Sequence, residues 1–98
     1  MTKKNKDQSL ETEPIFIGKI IQDELRRQER SVTWFSRKIH CDRRNVYDIF
    51  RRTSIDTDLL LLISWVLNVD LFSLYSNHLQ SIDNQQITPP YLAVNYVA

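Results

Sequence analysis

Glycine occurs once and cysteine once in this 98-residue chain. With a single glycine there is no glycine-rich loop to cradle a phosphate. The lone Cys41 excludes an intramolecular disulfide and leaves no thiolate pair for a metal site. It suits a reducing, intracellular setting. The opening MTKKNKDQSLETEP has no apolar stretch of the kind a signal peptide carries. The longest unbroken apolar run, Leu59 to Ile63, is far too short to cross a bilayer. No serine, histidine or carboxylate falls in a nucleophile-base pattern, and no paired carboxylates share a helix face with an apolar pocket. His40 adjoins Cys41, but the only other histidine, His78, belongs to a different element, and a zinc site needs three or four ligands. Neither catalysis nor a metal nor another cofactor is therefore expected.

Net charge is also small, at +1. Its distribution is uneven. Between Arg26 and Arg52 nine basic residues face three acids, which gives +6 over 27 residues and leaves the remainder at −5. Such a basic centre is a local electrostatic footprint for a polyanion. Hydrophobic residues make up 42% of the chain, enough for one modest core.

Residues 1–14 read as a polar arm, basic and then acidic, closed by Pro14. A first helix is expected from about Ile15 to Glu29, with Ile17, Ile20, Ile21 and Leu25 as its apolar stripe. Ser31 is the expected N-cap of a second helix carrying Trp34, Phe35 and Ile39, and Asp42 that of a third from Arg43 to about Phe50. A fourth helix begins near Asp56 or Thr57 and ends near Asn68, a residue that tolerates the left-handed C-terminal position. Asp70 would cap a fifth, fading by about Ile82. Residues 83–98 form a polar linker and an apolar C-terminal arm, in which Leu92, Val94 and Tyr96 alternate with their neighbours as in an extended strand.

On the fourth helix, Leu59, Leu60, Ile63, Val66 and Leu67 share one face, while Leu61 and Trp65 lie almost opposite. That second apolar face asks for a second cover: the C-terminal arm or another subunit.

The stretch SVTWFSRKIHCDRRNVYDIFRR, Ser31 to Arg52, is the most informative. Apolar residues at Phe35, Ile39, Cys41, Val46 and Ile49 would let two short helices dock across a tight turn, with Ser36 at their close approach. Arginines, an asparagine and a tyrosine remain outside. With Ile63-Ser64-Trp65-Val66-Leu67-Asn68-Val69 after it, this order resembles the phage repressor and Cro-like helix-turn-helix regulators, the XRE family, over about Ile17 to Phe72. Here Phe35-Ser36 stands for the family's Leu-Ala pair, and Val46 and Ile49 for its spaced aliphatics. Glu29, His40 and Arg52 occupy three bends where the family usually carries glycine. Val32 replaces a glutamine that can bond a phosphate.

The resemblance implies an all-α, lambda-repressor-like bundle of four to five short helices. It implies a transcriptional regulator that binds double-stranded DNA as a homodimer in the cytoplasm, associated with the nucleoid. Arg43, Arg44, Asn45 and Tyr47 are the candidate base contacts, in the major groove. Arg37, Lys38, Arg51 and Arg52 are the candidate phosphate contacts, together with Lys3, Lys4 and Lys6 of the arm. Asp48 is positioned to orient a neighbouring arginine. Trp34 is expected to pack against the first or third helix. The competing expectation is a protein-interaction module of the same fold, an antitoxin or adaptor, acting through Leu61 and Trp65.

Overall fold

A computed structural model describes residues 15–85, with side chains to residue 82. The N-terminal arm with its lysines, and residues 86–98 of the expected linker and C-terminal arm, lie outside the described residues; residues 83–85, expected to open the linker, instead continue the last helix. Within them the chain is all-α: α1 (Ile17–Arg27), α2 (Val32–Lys38), α3 (Arg43–Phe50), α4 (Thr57–Leu67) and α5 (Phe72–Gln85). Residues Ile15–Phe72 make one compact unit, and α5 beyond Phe72 belongs to a second.

Three helices start on the side-chain oxygens that the sequence offers. Ser31 Oγ accepts from the Trp34 N–H at 2.9 Å, an Asp42 carboxylate oxygen from Asn45 at 3.0 Å, and an Asp56 oxygen from Leu59 at 2.8 Å. Each bond satisfies an orphan donor of the first turn, worth about 1 kcal/mol. Helix α1 starts differently. Phe16 offers no capping side chain. Instead the Gly18 and Ile17 N–H groups donate to the carbonyls of Arg52 and Thr53, at 2.9 and 3.4 Å. The segment leaving α3 thus caps α1, and this tertiary contact sets the start at Ile17 rather than Ile15.

Gly18 makes that contact possible. A Cβ there would stand 2.2 Å from the Ile49 carbonyl oxygen and 2.5 Å from that of Phe50. The chain's only glycine is therefore placed for the close approach of α1 to the last turn of α3, and not for a bend.

The bends are made without glycine. Glu29, His40 and Asn68 have φ of 58°, 59° and 58°. After α1, Arg30 N–H donates to the Leu25 carbonyl and Glu29 N–H to that of Arg26. After α2, Cys41 donates to Ser36 and His40 to Arg37. After α4, Val69 donates to Ser64 and Asn68 to Trp65. All three are Schellman ends, with a left-handed residue just past the helix. Asparagine tolerates that conformation, whereas glutamate and histidine pay a steric cost of about 1–2 kcal/mol. Arg52, the third bend position of the resemblance, is not left-handed. The chain leaves α3 through Arg51 at φ −93°. Glu29→Gly and His40→Gly are each expected to raise stability by about 1 kcal/mol, the relief of strain exceeding the extra entropy of an unfolded glycine. Chemical denaturation of each variant measures this. A lowered midpoint in both would show that the bends carry no strain.

The core of the unit comes from every helix in it. Ile17, Ile21, Phe35, Val46 and Ile63 are fully buried, with Leu25, Ile39, Ile49, Phe50, Leu60, Leu67 and Leu71 nearly so. Ile20, Leu59 and Val66 are half-buried at its margin. Ser64, also buried, accepts the Leu71 N–H at 3.4 Å.

One polar knot joins α1 to α4. Gln28 Nε2 donates to Glu24 at 2.7 Å and to the Leu67 carbonyl at 2.9 Å, while Arg27 Nε donates to Glu24 at 3.1 Å. The Arg27 hydrogen bond is the main cause that holds the Glu24 carboxyl below its usual range. Burial opposes it, and the Gln28 bond and the Arg27 charge assist. A carboxyl with a depressed folded pKa stabilises fully above its unfolded value, and the contribution is lost as pH falls through the folded one. Glu24→Gln is therefore expected to be less stable than wild type at neutral pH, with the gap closing in acid. Urea midpoints across that range test this, and a gap independent of pH would contradict it.

Candidate nucleic-acid interface

Helix α3 buries Val46, Ile49 and Phe50. At about 100° per residue, the opposite face carries Arg44, Asp48 and Arg51, flanked by Arg43 and Tyr47 on one side and Asn45 on the other. The arginines and Asn45 are exposed, and Tyr47 is 48% exposed. Their surroundings differ. Arg43 donates from Nη1 to Thr33 Oγ1 of α2 at 3.3 Å. Arg51 is held by Asp48 one turn earlier, so the acid on this face orients an arginine, in keeping with the reading of Asp48. Tyr47 meets Phe50 edge-on, with ring centroids 5.9 Å apart. It also lines a recess of about 310 Å³ with Arg26 and Arg30, which extends the cationic surface to the end of α1. Asn45 faces the other way, into a smaller recess of about 220 Å³ with Arg52 and Leu59. Arg44 contacts no described partner.

The ion pairs divide the cations into two sets. Lys19, Arg26, Arg27 and Arg51 each have a carboxylate partner. Among the described residues Arg30, Arg37, Lys38, Arg43, Arg44 and Arg52 have none. All six lie between the end of α1 and Arg52, two residues past α3. Uncompensated charge is thus gathered around α2 and α3, where a polyanion would gain most from it.

Arg37 and Lys38 are not on the face of α3. Helix α2 buries Phe35 and Ser36, and its C-cap Ile39 is buried too. Thr33 lies toward α3, and Trp34 and Lys38 lie on the side away from it. The Arg30 guanidinium stacks on the Trp34 ring at 4.4 Å and the Lys38 ammonium approaches it at 5.9 Å, both cation–π contacts. Trp34, half-buried, therefore takes a cation from just past α1 onto its ring. With Arg37, Lys38, His40 and Trp65 of α4 it lines an open cleft of about 670 Å³. Leu61 and Trp65 are 60% and 79% exposed. The expected second apolar face of α4 is present, and no described residue covers it.

Cys41, expected in the core, is half-buried. Burial, then the Asp42 charge, pushes its thiol up, so it is not a poised thiolate. No three potential metal ligands cluster among the described residues, and no single helix there is long and apolar enough to cross a membrane.

No protein-family model, curated protein or solved structure matches this chain.

Two features of the site had no signal in the sequence. The Arg43–Thr33 bond depends on how α2 and α3 cross. The Trp34–Trp65 cleft depends on which side of α2 faces α4.

Proposed function

We propose that this chain is a sequence-specific, double-stranded DNA-binding transcriptional regulator of the phage repressor and Cro-like kind. It acts as a homodimer in the cytoplasm, with α3 as the recognition helix. Arg43, Arg44, Asn45 and Tyr47 read base edges in the major groove. Arg51 and Arg52 hold phosphates at the far end of the helix and fix its register. The observation that carries this reading is the set of six cations without carboxylate partners, gathered around a capped helix whose outward face presents arginines. Two further features support it. The compact unit, Ile15–Phe72, coincides with the span of the family resemblance. Two of the three glycine bends of that family, at Glu29 and His40, adopt the left-handed backbone that glycine would supply.

The test is selection from a random-sequence duplex pool by the purified chain at several salt concentrations, followed by sequencing. A two-fold symmetric motif is expected, its half-sites about 34–36 Å apart, roughly one turn of DNA. Affinity should fall steeply with salt as counterions are released. An unenriched pool with a shallow salt slope would count against DNA reading. The protein-interaction reading would then be the better one, favoured by the exposure of Leu61 and Trp65.

A further inference from the structure

The geometry points to a second binding surface, centred on two tryptophans to which the DNA reading gives no role. We propose that the cleft between Trp34 and Trp65 docks an acidic peptide segment of a partner protein, anchored by one large apolar side chain.

The apolar part is the exposed strip Leu61–Trp65, one turn apart on α4, ending in the cleft. A 79%-exposed tryptophan beside a 60%-exposed leucine is costly to leave in water and is the residue type that dominates binding hot spots. The cleft volume, about 670 Å³, exceeds what one aromatic or aliphatic side chain fills. Within the cleft the charge is of one sign, while the exposed Asp58 shares the outward face of α4 with Leu61 and Trp65, one turn before Leu61. Among the described residues Arg37, Lys38 and His40 are the ionisable groups that line the cleft, no carboxylate lines it, and Arg37 and Lys38 have no carboxylate partner. On α1, by contrast, the exposed Lys19 and Arg26 are matched by Asp23. The complementary ligand is therefore apolar at its centre and acidic around it.

Single-stranded nucleic acid is also anionic and stacks on aromatic rings. It fits less well here. The Trp34 ring already carries the Arg30 guanidinium, which leaves one free tryptophan and no stacking track. The neighbour of that tryptophan is an aliphatic leucine, suited to a side-chain anchor.

The probe is a short synthetic peptide of glutamates around a central phenylalanine and leucine, titrated calorimetrically into the full chain. Three controls accompany it: the peptide with lysine for each glutamate, a single-stranded oligonucleotide, and the duplex recovered from the pool selection, or a random duplex if that selection fails. The glutamate peptide should bind, the lysine peptide should not, and added salt should weaken binding. Trp65→Ala should weaken the glutamate peptide by about tenfold or more. Because Trp65 is exposed, its helical circular dichroism should be unchanged. The double change Arg37→Glu, Lys38→Glu should transfer preference to the lysine peptide. Trp65→Ala should leave duplex affinity as it was, so loss of DNA binding and loss of peptide binding are separate outcomes. Equal binding of both peptides, or indifference to Trp65→Ala, would overturn the proposal. So would oligonucleotide binding or self-association that depends on Trp65, since either would name a different occupant.

Discussion

Gly18→Ala is expected to lower stability by about 3 kcal/mol, the upper end of what overpacking usually costs. Propensity alone says the reverse, because alanine is favoured over glycine inside a helix by about 1 kcal/mol. The geometry decides the sign. The added methyl would lie 2.2 Å from the Ile49 carbonyl oxygen, 2.5 Å from the Phe50 oxygen and 2.7 Å from the Phe50 carbonyl carbon. All three are backbone atoms, so no rotamer change relieves the clash. Helix α1 must instead move off the last turn of α3. That movement stretches the 2.9 Å bond from Gly18 N–H to the Arg52 carbonyl and opens the core around Ile17 and Ile21. Urea denaturation measures the loss. For a unit of this size a melting-point drop of about 10 °C or more should accompany it. A midpoint equal to or above wild type would show that the helices part at no cost. Ser in place of Gly18 should behave like alanine, since the clash arises at Cβ.

The same residue shows where sequence reasoning stops. The caps at Ser31, Asp42 and Asp56 are legible because capping is local: a short polar side chain, then a donor three residues on. The left-handed end at Asn68 is legible for the same reason. The core stripes of α1 and α4 follow from period alone, and so does the exposed pair Leu61 and Trp65. The beginning of α1 is not legible, because its cap is a carbonyl more than thirty residues away in the chain. The turn at Glu29 contradicts the preference of glutamate for right-handed backbone. An apolar stripe running toward Glu29 therefore overshoots the true end at Arg27. Of the site, the residue types were legible and their grouping was not. That Arg37 and Lys38 accompany Trp34 and Trp65 follows from which side of α2 meets α4. Composition carries no trace of that.

On the DNA-reading proposal, Arg44→Ala and Arg52→Ala are expected to fail in different ways. Arg44 is in the first turn of α3, on its outward face, with no described partner. Arg43 shares its guanidinium with Thr33, and Arg51 is held by Asp48. Arg44 is therefore the arginine freest to form a bidentate pair with guanine O6 and N7, worth about 1–3 kcal/mol of discrimination. Its loss should flatten one position of the selected motif while random duplex is bound nearly as before. Arg52 follows the end of α3, beyond the reach of the first turn into the groove, and its backbone is fixed by the bond to Gly18. It suits a phosphate, which carries no sequence information. Arg52→Ala should weaken every duplex alike and reduce the slope of log affinity against log salt by about 0.9, one phosphate contact. Binding to matched and mismatched duplexes across a salt series separates the two. If both variants lose matched and mismatched DNA equally, α3 is not the reading helix, even if the chain binds DNA. If Arg44→Ala alone narrows the gap between matched and mismatched duplexes, the first turn of α3 carries the sequence preference, and the bonds that Arg43 donates to Thr33 and Arg51 to Asp48 explain why those arginines carry less.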